Sequence, residues 1–410
     1  MSPVTRHPSP KVAFIVSKFP CYDEAFILRE IYALSKMMDI AIFSLRKSTE
    51  KILHDQAREL LSKTVYVPYL FSWGIIGAEL LTLLTHPIRY VKAFRRLVIG
   101  NIKSPNFLIR NLAFFPKAIY LAHWIRRRKI THLHAYWATY PASVALVASE
   151  IAGVPFSFTG HAHDIYVDTT HLKEKMMRAS FVTTCTQQNK KHLMKVAPDY
   201  PDQQILVNYH GLQLDQFDVN GKLRNKTFQI LSVGTLQYYK GFQFLLPALA
   251  ALKDKGFNFT CVIVGGGPLE SDLRKHVRLL GLEPYVTMTG PLRQDEVIPY
   301  YKKSDLLVLM AQPEWHWGIP NVLIEALAAK TPVITTRFGS VEELVTDGET
   351  GLLVPPKDTE VLVAAIDHLY TDELLRKKLA EAGYRRVIEY FDLEKNIRQF
   401  AQRFETCRES

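Results

Sequence analysis

Phe259-Thr260-Cys261-Val262-Ile263-Val264-Gly265-Gly266-Gly267-Pro268-Leu269 reads as a buried strand that ends on three glycines and runs into a helix. A short apolar, β-branched run with no polar alternation is buried on both faces, which is how strands of a parallel sheet look. The glycines let a ligand approach the backbone closely at the strand end, and a tight turn with no ligand fits them as well. The spacing is not G-x-G-x-x-G, which disfavours a dinucleotide dehydrogenase. Outward from this stretch the pattern repeats. Strands are predicted over 229–233, 286–289, 306–310 and 332–335, with helices over 242–253, 269–280, 294–303 and 321–329 and terminal helices near 360–370, 373–390 and 394–406. Toward the N-terminus, strands are predicted over 11–17, 40–45, 63–67, 131–135, 155–159, 181–185 and 205–209, with helices over 25–38 and 141–152.

This alternation predicts an α/β protein with two Rossmann-like domains and a cleft facing the strand carboxyl ends. At 410 residues the chain exceeds one ordinary core. The polar stretch 215–226 separates two complete patterns, so the expected domains are 1–214 and 215–385, with 386–410 as a final helix. The composition, 48% hydrophobic and 22% charged, excludes a disordered or collagen-like chain. Apolar runs fall short of the ~20 residues of a membrane span, and the first ten residues lack the apolar core of a secretory signal. Four scattered cysteines without a C-x-x-C pair argue against zinc or disulfides and for a cytoplasmic protein.

The net charge of +11 is concentrated in one segment. From Leu80 to Ser149 there is no Asp or Glu but there are eleven Lys and Arg, and without these the chain has 40 basic and 40 acidic residues. The cations interleave with Leu, Phe, Tyr and Trp over roughly 70–128. That mixture predicts peripheral contact with an anionic membrane surface through the segment from Arg89 to Lys129, ahead of a solvated basic face or a nucleic-acid groove.

Two further stretches carry candidate chemistry. Val233-Gly234-Thr235-Leu236-Gln237-Tyr238-Tyr239-Lys240-Gly241 places Lys240 ahead of a helix N-terminus, a plausible phosphate site and equally the look of a loop lysine. Trp317-Gly318-Ile319-Pro320-Asn321-Val322-Leu323-Ile324-Glu325-Ala326 places one carboxylate, Glu325, among apolar neighbours near an open helix start. A carboxylate there suits the hydroxyls of a ribose.

Together with Gly339–Val345 and Asp347–Val354, these pieces resemble, in order and spacing, the family-4 retaining glycosyltransferases of the GT-B fold. Ser157–Tyr166, Tyr209–Phe217 and the start Val16–Glu30 are similar to the subgroup that builds surface polysaccharides such as colanic acid. The resemblance implies that Lys240 holds the donor diphosphate, Glu325 the ribose, and Gly266, Gly267 and the stretch Gly318, Ile319, Pro320 and Asn321 the phosphates and sugar. It puts Arg293 near the base, His161 by the reacting sugar as a third catalytic residue, and Glu24 and Asp164 on the acceptor or sugar side, and it packs the final helix, 386–410, back on the first domain. It implies a sugar linked to UDP or GDP as donor, no metal and no cofactor, and a lipid-linked glycan, polysaccharide or lipid as acceptor at the inner membrane face. Two positions depart from the pattern: Thr235 replaces the usual Arg and Trp317 the usual Glu. Arg293 is the candidate to restore the cation, and Glu314 or His316 the carboxylate side. The departures keep open an inactive partner or glycan-binding relative, and a phosphorylase or epimerase stands as a third reading.

Overall fold

The computed structural model describes residues 10–21, 24–48, 55–217, 227–315 and 318–407, which divide into two compact units. The described residues up to His210, with those from Glu394 onward, form the first; Gly211–Leu393 forms the second.

The first unit is built on seven parallel strands: β1 (Lys11–Phe19), β2 (Asp39–Lys47), β3 (Thr64–Tyr66), β4 (His132–Tyr136), β5 (Phe156–Gly160), β6 (Val182–Thr184) and β7 (Ile205–Val207). Their order is β3-β2-β1-β4-β5-β6-β7. The chain therefore reverses direction across the sheet between β1 and β4, where Val12 pairs with Ile40 on one side and His132 on the other. The helix Leu393–Thr406 closes this unit. Its Phe400 and Phe404 pack edge-on against His134 (5.1 Å) and His132 (5.2 Å), and Phe404 also meets Phe181 at 5.4 Å. Such edge-to-face contacts suit the ring quadrupoles.

The second unit has six parallel strands: β8 (Phe228–Val233), β9 (Phe259–Val264), β10 (Val286–Gly290), β11 (Leu306–Leu309), β12 (Val333–Thr336) and β13 (Leu352–Val354), in the order β10-β9-β8-β11-β12-β13. Here the reversal falls between β8 and β11. Ligands bind open α/β sheets beyond the strand carboxyl ends at such points, so the loops after β8 and β1 are the places to look.

The basic segment folds as three helices, Trp73–Thr85, Pro87–Asn101 and Pro105–Arg128. No described helix is long and apolar enough to cross a membrane. Among the described residues four further helices lie where no element is predicted from the sequence: Asp55–Leu60, His163–Tyr166, Leu172–Arg178 and Gln187–Val196.

Candidate active site

In the second unit the loops after β8 and β9 are joined by main-chain bonds. Gly234 N donates to Val264 O, Leu236 N to Gly266 O and Leu269 N to Leu236 O, each at 3.0 Å. The approach leaves no space for side chains. A Cβ on Gly265, whose φ is +146°, would lie 1.9 Å from Gly234 O, and one on Gly241, φ +79°, 1.8 Å from Met310 O. The amides of Gly266 and Gly267 donate to nothing among the described residues.

Lys240 ends the single turn Tyr238–Lys240 ahead of the helix Phe242–Asp254. It is half-buried, with Nζ 5.3 Å from the Tyr239 ring centroid and no carboxylate partner among the described residues. Burial pushes its pKa down to about 8. An ammonium held at a cost of desolvation, beside free amides and a helix N-terminus, is a site prepared for an anion.

Glu325 lies in the helix Asn321–Ala328, preceded by the half-buried Gly318, Ile319 and Pro320. Its two oxygens accept from Gln294 Nε2 (3.1 Å) and Tyr301 Oη (2.8 Å). Gln294 and Tyr301 stand two turns apart on one face of the helix Gln294–Lys303. These holders are absent from the sequence reading; the i, i+7 spacing of two polar residues there was the available signal. Burial, with the nearby Glu325 charge, drives the Tyr301 phenol well above its ordinary pKa, so it stays a donor.

Thr235 is exposed and brings no cation. The expectation that Arg293 replaces it meets a competing contact. Arg293 is exposed, and its guanidinium forms a two-pronged pair with Asp295, both bonds 3.1 Å. Glu314 pairs with Lys357 at 3.7 Å. Trp317 and His316 lie outside the described residues.

In the first unit the strand ends of β1, β4 and β5 gather His161, Glu24 and Asp164, with residues the sequence reading did not single out. His161 is buried, and neither ring nitrogen has a hydrogen-bond partner among the described residues. Its ring lies against Trp137 (4.5 Å), Phe26 (5.0 Å) and His210 (5.3 Å, nearly parallel at 19°). Burial first, then the charges of His210 and His134, lower the His161 pKa well below the ordinary imidazole value. His161 is thus a neutral imidazole with two unsatisfied nitrogens. Glu24 precedes the helix Ala25–Ser35 and accepts from Trp137 Nε1 at 3.1 Å.

Asp164 does not face open space. It is buried, and its carboxylate takes the amides of Ala138 (2.6 Å) and His161 (2.9 Å). It therefore holds the backbone at His161 and in the loop after β4, whereas the resemblance puts it toward acceptor or sugar. Lys175 completes that clamp. It is fully buried and donates to the carbonyls of Ala138 (2.6 Å), Thr170 (3.1 Å) and Thr139 (3.3 Å). Burial lowers its pKa to about 7, against the pull of Asp164.

His210 carries the opposite shift. Burial lowers its pKa, but hydrogen bonds to Cys185 and Glu30 outweigh that and raise it to about 10. Glu30 Oε1 lies 3.0 Å from His210 Nδ1, and Glu30 Oε2 accepts from Tyr136 Oη at 3.0 Å. His132 and His134 are engaged in hydrogen bonds of the sheet: both bond Ser157 Oγ (2.7 and 2.8 Å), and His134 Nε2 meets Thr159 Oγ1 at 2.8 Å. Among the described residues no three His, Cys, Asp or Glu gather as a metal set.

Residues 215–386, which include Lys240, Glu325 and the glycine turns, match the family model described as Glycosyl transferases group 1. This stretch is a glycosyl transferases group 1 domain. The Bacillus subtilis glycosyltransferase TuaC, named for teichuronic acid biosynthesis, is 28% identical over 291 residues, 67% of this chain and 70% of that one. The Escherichia coli glycosyltransferase WcaL, named for colanic acid biosynthesis, is 25% identical over 390 residues, 89% of this chain and 92% of that one. Anabaena Alr3699/HepE, solved in complex with UDP, superposes with a TM-score of 0.69 at 17% identity over 97% of this chain and 100% of that one. The glycosyl transferases group 1 domain thus sits in a two-sheet chain with the fold of GT-B glycosyltransferases.

Proposed function

We propose that this glycosyltransferase moves a sugar, with retention of anomeric configuration, from a nucleoside diphosphate to a lipid-linked glycan, polysaccharide or lipid at the cytoplasmic face of a membrane. The observation that carries the reading is Lys240: a half-buried cation without a carboxylate partner among the described residues, beside the unused amides of Gly266 and Gly267. Cleavage of the sugar–phosphate bond builds negative charge on the leaving diphosphate. A fixed ammonium and fixed N–H donors stabilise that charge without reorganising. We assign this role to Lys240 and the amides, with no metal or cofactor called for in it. Glu325, oriented by Gln294 and Tyr301, is assigned to the ribose. Neutral His161 and Glu24 belong to the sugar and acceptor side. The relatives' names favour a surface polysaccharide as product, and the UDP in HepE favours UDP over GDP as carrier. The segment from Arg89 to Lys129 supplies the cations that meet anionic lipid.

A thermal-shift series with UDP, GDP, ADP and their sugar conjugates tests the donor. One base should raise the melting temperature in proportion to the logarithm of its concentration. Glu325→Ala should weaken that ligand by about 1–3 kcal/mol, the range for a charged hydrogen bond left unmade. Thr235 supports a second reading, a partner protein without turnover, because the diphosphate lacks that cation. Binding of a nucleotide sugar with no transfer to any lipid extract would favour it.

A further inference from the structure

We infer that the helices Trp73–Thr85 and Pro87–Asn101, with the loop ahead of them, form an insertion element that enters the interfacial layer of an anionic bilayer. The inference rests on the proposed membrane-face location and adds that apolar side chains, as well as charge, make the contact.

These helices bury one narrow face and leave large apolar side chains exposed on the other. Trp73–Thr85 turns Ile75, Ala78 and Thr82 inward. Thr82 bonds the His123 ring at 2.7 Å, while leucines face out. Tyr69, Phe71, Trp73 and Leu84 are 92%, 90%, 87% and 82% exposed, and Leu80 and Ile88 are 57% and 70% exposed. A soluble surface helix buries its apolar stripe and exposes polar groups. Contiguous apolar surface of this kind marks a binding face.

Charge narrows the partner to lipid. Glu79, the one acid in the two helices, is half-buried; burial raises its carboxyl pKa, against a hydrogen bond from Tyr90 that lowers it. Arg89, Lys92 and Arg95 are exposed on Pro87–Asn101, whose Ile88, Val91 and Phe94 are exposed too. Cations that share a surface with aliphatic and aromatic side chains match headgroup phosphates above acyl chains. Tyr69 and Trp73 suit the same depth, where aromatic rings with a polar edge collect. Neither helix is long enough to span, so the element lies in the interface plane. It is also anchored to the rest of its unit. Tyr90 and Phe94 meet the Phe115 ring at 5.2 and 5.3 Å, and Arg96 pairs with Glu150 and, at 3.3 Å, with Glu174. Insertion would therefore fix the orientation of the whole first unit against the membrane.

The test floats the full chain with vesicles of phosphatidylcholine alone or mixed with phosphatidylglycerol. The wild type should float with the anionic mixture and keep a substantial bound fraction in about 0.5 M salt, where screening shortens charge attraction to a few ångströms. Trp73→Ser combined with Leu84→Ser should lower partitioning by about tenfold or more at either salt, because apolar burial no longer contributes. Both positions are exposed, so unchanged thermal unfolding verifies the fold. Brominated lipid should quench wild-type tryptophan emission, and Trp73→Phe should remove most of that quenching. Flotation that salt abolishes completely, with the double variant matching wild type, would overturn insertion while leaving the membrane-face reading intact. Failure of the wild type to float with either vesicle would overturn both. Concentration-dependent self-association without flotation would assign the patch to a second copy and overturn the inference.

Discussion

Lys240→Ala is expected to lower kcat/KM for the nucleotide-sugar donor by about 10²–10³-fold, the usual cost of removing one preorganised donor to developing charge. The structure gives the reason. No acid among the described residues pairs with this ammonium, so its charge is kept for a ligand. Burial already works against it, which is why its pKa falls to about 8. Two consequences separate this role from a general loss of fold. UDP binding should weaken much more than uridine binding, since the nucleoside makes no use of the cation. UDP affinity of the wild type should also decline as pH rises through about 8, because the free protein loses the proton that the diphosphate needs. Calorimetric titration at neutral pH and near pH 9.5 reads both effects. Lys240→Arg keeps a charge at every accessible pH and should flatten the decline, whatever its absolute affinity. A UDP affinity indifferent to both pH and Lys240→Ala would remove Lys240 from the donor site.

Much of this half-site was legible in the sequence, because its geometry is local. A strand that ends on glycines, a lysine ahead of a helix and a carboxylate inside an apolar helix are each specified within ten or so residues. The strand Phe259–Val264 and the helix Gln294–Lys303 form with the predicted bounds for the same reason. What the sequence hid is contact between distant segments. Nothing local connects Gln294 and Tyr301 to Glu325, or Asp164 and Lys175 to the carbonyls and amides of a loop some 25–40 residues earlier in the chain. The resemblance alone puts Asp164 toward acceptor or sugar; in the fold it is buried and accepts from two backbone amides. The helices Leu172–Arg178 and Gln187–Val196 are short and polar, with little apolar period to announce them. The leucines of Trp73–Thr85 face outward, Leu80, Leu81, Leu83 and Leu84 among them. Periodicity reports which residues are apolar, and only the packed structure reports that the apolar side faces away from the core.

The pair Glu30 and His210, 180 residues apart, leads to the largest expected change in stability. Glu30 is 3% exposed and serves two donors at once, the His210 ring and the Tyr136 hydroxyl. Glu30→Ala leaves a half-buried imidazolium without its counter-charge and a buried phenol without an acceptor. Breaking a buried pair by removing one partner costs about 3–5 kcal/mol. The pH dependence gives the sharper test. The folded-state pKa of His210, about 10, lies above the unfolded value near 6.5. The folded chain therefore binds the extra proton between those values, and stability falls as pH rises across that window. The contribution is complete below about pH 6.5 and lost as pH passes through about 10. Glu30→Gln keeps an acceptor for Tyr136 and nearly the same shape but removes the charge. The hydrogen bond to Cys185 remains, so the part of the slope that Glu30 supplies should vanish. Urea unfolding of wild type and Glu30→Gln at about pH 6.5, 8 and 9.5 measures it, and equal slopes in the two proteins would sink the assignment. The consequence reaches the site. His210 lies parallel to His161 at 5.3 Å, and its positive charge is one reason the His161 ring stays neutral. A neutral His210 relaxes that constraint, so the pH profile of turnover in Glu30→Gln should shift along with its stability.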